Sequence, residues 1–245
     1  KPTLTTLCGL QPDQTEADFI GWGLTAQDAK LLAPEIAVKG SLTSLSLGDN
    51  KLGDEGVEAL SVGLKESKSL KTLDLSNGGY GSTKFGPKGA TALASAIAVN
   101  GSLTSLNLLG NDIGAEGAKA IADALRVNGS LTSINLNHNK LGDEGWCAVF
   151  DALRDNPQNK IAKWDLFGEG LGPTMAKSLA AYAAVSTSLT QLNLAENQLC
   201  GVDRLGRGTY DSTGINAIAD ALRVNNSLTS VNLSFNELCG LNSKG

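Results

Sequence analysis

A short motif, Ser-Leu-Thr-Ser-Leu-x-Leu, recurs along this chain and constrains its architecture more than any other feature. It occurs at residues 41–47, and variants begin at Leu70, Leu103, Leu131, Ile161, Leu189 and Leu228, with an imperfect copy at Leu4. Three intervals are 28 residues long (42 to 70, 103 to 131 and 161 to 189). A fixed period of roughly 20–50 residues is typical of stacked repeats. We therefore expect a single repeat domain over 1–245, in which each repeat contacts its neighbours.

Each repeat is predicted to contain a strand, a turn and a helix. Leu45-Ser46-Leu47 alternates apolar and polar residues, which favours a short strand with inward leucines. A side-chain amide can bond the backbone of a tight turn. We expect this role for the asparagine that follows each strand, at Asn50, Asn77, Asn111, Asn139, Asn197 and Asn236.

The helix boundaries are also visible in the sequence. Acidic residues such as Asp54 and Glu55 open a helix, where they favour its positive dipole end. Pro87 and Pro173 suit a first helical position. Asn100-Gly101 and Asn128-Gly129 predict left-handed caps at helix ends.

The Leu-x-x-Leu-x-Leu-x-x-Asn-x-Leu core of this unit resembles the leucine-rich repeats of the ribonuclease-inhibitor type over nearly the whole chain. Such repeats also form the sensing domains of nucleotide-binding immune receptors and the body of Ran GTPase-activating proteins. The resemblance implies an α/β solenoid, or horseshoe, of about eight repeats, with parallel strands on the concave face and helices on the convex face. The wording of residues 7–9 and 13–18 is similar to families expanded in microbial eukaryotes such as algae.

Composition and motifs argue against several functional classes. The net charge is −5 and the basic residues are scattered, so no basic stripe predicts nucleic-acid binding. No apolar run is long enough for a transmembrane helix. His138 is the only histidine, and the four cysteines lack C-x-x-C spacing, so neither a metal site nor a catalytic site is predicted. The stretch 81–88 lacks the Lys-Ser/Thr ending of a phosphate-binding loop, and no cofactor is expected.

The cysteines and the two ends leave alternatives open. Cys200 and Cys239 occupy equivalent places in adjacent repeats, so they form either a disulfide or two reduced, half-buried thiols. Reduced thiols fit an intracellular, cytoplasmic protein. An organelle stays open because the chain begins at Lys1, so a leader or upstream domain could have been lost. We count eight strands and seven helices without capping repeats. The chain is therefore expected to be a fragment, or to have ends covered by partners.

Three long stretches interrupt the regular period and mark a candidate binding edge. They are Cys8–Trp22, Gly78–Gly86 and Cys200–Thr213, each placed between a strand and its helix. Insertions on one face of a repeat array often line its binding face, although tolerated drift gives the same pattern. The glycines of the third stretch indicate either mobility or ordering on a partner. The predicted partner contacts at this edge are Trp22, Tyr80, Phe85, Arg204, Arg207 and Tyr210. The exposed positions of the predicted strands are mostly small polar residues, and Phe167 and His138 are the candidate contacts on this concave face.

The sequence thus predicts a noncatalytic protein-interaction scaffold, or a structural subunit of a larger assembly. Two alternatives follow from the resemblance. One is a Ran-type GTPase-activating regulator, whose arginine is missing from the early loops. The other is the ligand-sensing domain of a nucleotide-binding immune-type receptor. The identity of the protein partner is not readable from the residues.

Overall fold

A computed structural model describes residues 10–11, 13–79, 81–203 and 205–238. Short strands and longer helices alternate through this part of the chain, and it contains the eight strands and seven helices expected from the sequence. Their bounds are β1 Glu16–Asp18, α1 Ala26–Val38, β2 Ser44–Ser46, α2 Gly53–Glu66, β3 Thr72–Asp74, α3 Pro87–Ile97, β4 Ser105–Asn107, α4 Gly114–Leu125, β5 Ser133–Asn135, α5 Gly142–Asp155, β6 Lys163–Asp165, α6 Pro173–Val185, β7 Gln191–Asn193, α7 Thr213–Val224 and β8 Ser230–Asn232.

The repeats stack in one register, which produces a continuous core. Paired strands run parallel, and the middle residue of one strand lies opposite the middle residue of the next, as Leu45 does with Leu73. These middle side chains point towards the helices, and Leu45 and Leu106 are almost completely buried. The inner face of α4 meets them with residues such as Ile121 and Leu125. The α/β leucine-rich repeat solenoid is therefore confirmed, and the side of the sheet turned away from the helices is called the strand face below.

The first repeat begins later than predicted. The strand that pairs with β2 is β1, in which Ala17 lies opposite Leu45, a regular spacing of 28 residues (17 to 45). The prediction of an insertion over Cys8–Trp22 is therefore wrong, because this segment contains a strand. Leu4, proposed as the first repeat start, lies outside the described residues. The regular spacing was hidden because alanine at 17 and phenylalanine at 19 stand where other repeats carry leucine.

Turn asparagines bind each repeat to the one before it. Asn111 Nδ2 donates to Leu108 O of its own repeat at 3.0 Å and to Leu75 O of the preceding repeat at 2.9 Å. Its Oδ1 accepts the Phe85 N–H at 3.3 Å. The same pair of Nδ2 bonds, one within the repeat and one to the preceding repeat, is made by Asn50, Asn139, Asn197 and Asn236. The predicted role of the turn asparagine is confirmed at these five positions.

Asn77 was assigned to the same set, and that assignment is wrong. It follows Leu70 by seven residues (70 to 77), whereas Asn111 follows Leu103 by eight (103 to 111). Its side-chain oxygen accepts the Ser82 hydroxyl, a contact within its own loop. A shift of one residue is enough to turn the amide away from the neighbouring repeat.

A second set of asparagines, missed in the sequence, closes the helix ends. Gly101 and Gly129 do not have the positive φ of a left-handed cap, so that prediction is wrong. Instead Asn128 Nδ2 donates to Ile97 O at 2.8 Å and to Asn100 O at 3.2 Å, and its Oδ1 accepts the N–H of Leu131 at 2.9 Å. Asn100, Asn156 and Asn225 likewise donate to two carbonyls of the preceding repeat. These largely buried amides satisfy helix carbonyls that have no intrahelical partner.

The sheet is interrupted between β5 and β6, a break that we call the seam. In the described chain β1–β5 form one sheet and β6–β8 form another. Ala162 N still donates to Thr132 O at 3.2 Å, but the Leu136 N–H finds no main-chain acceptor among the described residues. The equivalent N–H of Leu108 donates to Asn135 O at 2.9 Å.

Large side chains on both sides of the seam account for the break. Trp164 occupies the buried position that Leu106 holds in β4, and its ring lies edge-on to Trp146 with centroids 6.0 Å apart. Between regular repeats a helix glycine packs closely on the preceding helix; a Cβ on Gly145 would lie 2.9 Å from the Ala118 Cβ. Met175 stands at that position in α6. Tryptophan and methionine need more room than leucine and glycine, so the two repeats cannot approach to strand-pairing distance.

Candidate protein-binding surface

The two described long loops connect a strand to the following helix, as predicted, and so lie on one edge of the solenoid. Phe85, proposed as a partner contact in the first of them, is only 3% exposed and belongs to the core. It fills the position that Leu52 and Ile113 fill in other repeats, and its assignment to a binding surface is wrong. The loop insertion displaced it in the sequence and hid this equivalence.

The other predicted contact residues on the loop edge do not form one cluster. Trp22 is 68% exposed in the first repeat, and its ring packs edge-on against Phe19 at 5.1 Å. Tyr80 and Arg204 lie outside the described residues. Arg207 and Tyr210 lie in the loop before α7, six repeats away from Trp22. The structure therefore does not bring Trp22 together with Arg207 and Tyr210.

Residues 202–203 and 205–211 form a hydrogen-bonded turn, which we call the finger. Val202 and Gly208 pair in an antiparallel bridge across its base. The Asp203 Oδ1 accepts the N–H groups of Leu205 and Arg207, both at 2.9 Å. The Arg207 guanidinium donates to Oδ2 at 2.7 Å, and these hydrogen bonds, together with that of Leu205, hold the pKa of Asp203 below its ordinary value. The carboxylate is therefore charged near neutral pH and organises the whole turn.

Glycines allow the two legs of the finger to cross closely. Gly208 has φ 116°, and a Cβ there would lie 2.1 Å from Gly201 O. Gly201 has φ 76°, and a Cβ there would lie 2.4 Å from Thr209 O. These glycines let two backbone segments approach closely, because a side chain at either position would collide with a carbonyl oxygen. The sequence alone does not show this role.

Two predicted contact residues hold the finger in place. Arg207 is bound to Asp203 as described, and the Tyr210 hydroxyl donates to Leu238 O of the last repeat at 3.0 Å. Leu205, which the sequence reasoning missed, is 69% exposed within the finger. A single leucine among glycines and arginines belongs to no apolar pattern, so only the placement of its neighbours identifies it.

The turns that follow the last four strands form a rim beside the finger, comprising residues 137–138, 167–169, 195–198 and 234–235. Gly168 N donates to Ala195 O, and Glu196 N donates to Ser234 O, each at 3.0 Å. The rim therefore continues the sheet beyond its strands. It presents Phe167 at 46% exposure and Phe235 at 64% exposure.

His138 lies on this rim and bridges the seam. Its main-chain N–H donates to Glu169 Oε1 at 2.9 Å, and its Nδ1 is 3.4 Å from the same oxygen. Glu169 occupies the turn-asparagine position of its repeat, and its side chain is only 7% exposed, whereas that of His138 is 67% exposed. Asn137 Nδ2 adds a second cross-seam bond to Asp165 O at 2.8 Å. Side chains thus replace the main-chain bonds that the seam removes.

A cleft of about 380 Å³ separates the rim from the finger. It is lined on the rim side by Glu196, Asn197 and Gln198, and on the finger side by Asp203, Leu205 and Arg207. The sequence treated the loop edge and the strand face as competing surfaces. Around the last repeats they are continuous, and we call the rim with the finger the C-terminal contact surface.

Several polar groups of the strand face take part in local bonding. The last residue of a strand folds the following turn, as Asn107 Oδ1 does by accepting the Leu109 N–H at 3.2 Å and Asp74 Oδ1 does with Ser76 at 2.8 Å. Thr104 Oγ1 donates to Lys71 O of the preceding repeat at 3.1 Å. These small polar residues therefore help to shape the scaffold itself.

Other predicted sites lack support in the described part of the chain. Cys200 is buried, with its Sγ 3.8 Å from Leu238 O, and Cys239 lies outside the described residues, so their pairing stays a prediction. No group of three or more His, Cys, Asp or Glu residues suited to a metal ion occurs within the described ranges. Over the same ranges, each helix is too short or too polar to cross a membrane.

Comparison with known proteins adds relatives of the repeats. The family model described as Leucine Rich repeat matches residues 41–61, 99–122, 127–146 and 224–238. The mouse protein named NACHT, LRR and PYD domains-containing protein 5 is 41% identical over 98 residues, which is 40% of this chain and 8% of that protein. Its relative of the same name from Bos taurus is 37% identical over 94 residues, 38% of this chain and 8% of that protein. The chain thus spans less than a tenth of the length of these relatives.

A solved structure shows the same kind of fold. The structure titled Leiomodin-1 Actin-Binding Site 2 superposes with a TM-score of 0.51 at 22% identity, covering 61% of this chain and 84% of that one. At this identity the likeness concerns the fold alone. A role in protein interaction is supported by the repeat matches and by the curated relatives.

Proposed function

We propose that this leucine-rich repeat protein is a noncatalytic scaffold that binds a protein partner through the C-terminal contact surface. The observation that carries the proposal is the finger beside the rim. Three exposed apolar side chains, Phe167, Leu205 and Phe235, stand on backbone that is held by hydrogen bonds. Apolar and aromatic groups on an ordered frame lose little conformational entropy on binding, so they give affinity efficiently.

The distribution of chemical groups supports a binding role over catalysis. His138 is the only histidine of the chain, and it is engaged with Glu169 on the rim. Phe85, a predicted contact on another part of the loop edge, is buried, and strands β2 to β5 carry small polar side chains on the strand face. Trp22 stands on the first repeat and offers one isolated ring. The contact surface is therefore confined to the last four repeats.

The test uses the full chain and two separate changes. In the first variant Gly53-Asp54-Glu55 of a regular repeat replaces residues 200–213, which include the finger. In the second, Phe167 and His138 are both changed to alanine. Proteins that co-purify with the wild-type chain are identified, expressed and purified, and their affinities are measured by biolayer interferometry. We expect each variant to weaken binding at least about tenfold, which corresponds to about 1.4 kcal/mol.

The matched control is Val62→Ser, on the helix side of the second repeat, where the valine is 66% exposed. It should bind like the wild type. A partner that binds both surface variants normally would refute the proposed surface, and a partner lost only in the control would place binding on the helix side.

A second candidate is the repeat domain of a larger receptor-like protein. The observation that favours it is the 41% identity with a protein whose name also includes NACHT and PYD domains. The sequence of the complete reading frame in the source organism decides this point. Encoded NACHT or PYD domains would support the candidate, and a frame without them would exclude it.

A further inference from the structure

Leu205 is an exposed apolar residue on an ordered turn. Its N–H is fixed by Asp203 Oδ1 at 2.9 Å, so the backbone beneath it is ordered, yet its side chain is 69% exposed. Elsewhere in the finger the exposed polar groups hold the turn together. A single exposed leucine is ordinary on a protein surface, but this one lies on a hydrogen-bonded turn and lines one side of a cleft.

The size of the cleft points to a ligand of side-chain scale. Its volume is about 380 Å³, near the lower end of the roughly 300–1,000 Å³ typical of ligand pockets. Such a space suits one or two side chains of a polypeptide. It lies open between the finger and the rim, so an extended segment can pass along it.

The polar wall of the cleft suits a peptide backbone. The Gln198 side chain is exposed, and its amide has no hydrogen bond to any described residue. An amide offers both a donor and an acceptor, which matches the N–H and C=O groups of an extended chain. On the other side the charges of Asp203 and Arg207 compensate each other at 2.7 Å. The carboxylate of Glu196 lines the opposite wall.

We propose that this cleft holds one apolar side chain of an extended segment of a partner protein, packed against Leu205 while Gln198 bonds the backbone of the segment. The proposal deepens the scaffold role and rests on it. Leu205 is thereby the anchor of the finger, and Arg207 and Tyr210 are positioning residues that hold the finger beside the rim.

The probe is a phage-displayed library of random twelve-residue peptides, selected on the immobilised full chain after depletion on the finger-replacement variant. A selected peptide is synthesised with a fluorescein label, and its affinity is measured by fluorescence polarisation. Leu205→Ser should weaken binding about tenfold or more, since it removes the apolar wall. Serine in place of the shared apolar residue of the peptide should have a similar effect.

Leu31→Ser is the matched control, because Leu31 is a 48% exposed leucine on α1, in the first repeat. It should leave the affinity within about twofold. Both variants alter exposed side chains, and circular dichroism should show unchanged helix content. Arg207→Ala removes the ion pair with Asp203 and should lower the affinity for the peptide, although the side chain of Leu205 is unchanged.

Three results would overturn the proposal. They are a selection that enriches no peptide beyond the depleted pool, enriched peptides that share no apolar residue, and equal affinity for the wild type and Leu205→Ser. If one of these occurs while a purified partner still needs Phe167 and His138, the scaffold role stands and only the cleft assignment fails. If neither peptides nor proteins depend on this surface, both fail.

Discussion

Replacing Asn111 with alanine should destabilise the fold far more than the same change at Asn77, although the two asparagines look equivalent in the sequence. Asn111 is 1% exposed and Asn77 is 5% exposed, so burial alone does not separate them. What separates them is the set of main-chain groups that each side chain satisfies.

The magnitude follows from counting the groups left without a partner. Without the Asn111 amide, the Phe85 N–H and the Leu75 carbonyl lose the bonds described above, at 3.3 and 2.9 Å. The Leu108 carbonyl keeps a bond from Asn139 Nδ2 at 2.8 Å. Each buried group left unsatisfied costs about 1–3 kcal/mol, so we expect a loss of about 2–6 kcal/mol.

Asn77→Ala leaves no comparable group behind. Among the described residues, its side chain bonds only to the Ser82 hydroxyl, which also donates to Gly79 O at 2.6 Å and keeps that bond. The expected loss is about 1 kcal/mol, the net value of one ordinary hydrogen bond.

The assay is urea unfolding at 25 °C, followed by circular dichroism at 222 nm, for the wild type and both variants. Similar slopes against urea are required for a direct comparison of free energies. Equal losses for the two variants would refute the argument, because they would mean that inter-repeat bonding by the amide contributes nothing. A larger loss at Asn77 would show that the turn of the third repeat is wrongly assigned.

Three further outcomes are expected. Leu106→Ala should cost about 2–5 kcal/mol in the same urea assay because Leu106 is fully buried. Thr104→Ala removes one hydrogen bond on the strand face and should cost at most about 1 kcal/mol, so equal costs would contradict the strand register. At the seam, hydrogen exchange followed by NMR should show the Leu136 amide exchanging faster than that of Leu108, which is bonded to a carbonyl; equal protection would contradict the break in the sheet. Hydrogen bonds lower the pKa of Asp203 in the folded chain, so the stability that its carboxylate gives to the finger should be complete above about pH 4 and lost as the pH falls through the lower folded pKa. The amides of the finger should therefore stay protected from hydrogen exchange at neutral pH and lose protection only in acid. Loss of protection between pH 5 and 7 would contradict this.

The sequence also shows why some site residues were found and others were missed. Phe167 and His138 stand out among the small polar residues of the strand face, and the structure places both on the exposed rim. Phe85 was misassigned because an insertion before it disguised a core position. Leu205 has no periodic signal, and its significance depends on a carboxylate that bonds to its N–H.

What the sequence by itself determined is the repeating part of this protein. The period, the inward leucines such as Leu45 and the turn amides such as Asn50 recur in every copy or nearly so, and a stacked array needs the same group at the same place each time. What only the tertiary structure decided is where neighbouring copies fail to match. Trp164 opens the seam through its volume against the preceding repeat, and Asp203 orders the finger through bonds that depend on the path of the backbone. Contacts of this kind belong to pairs of residues in space, so no single repeat reveals them.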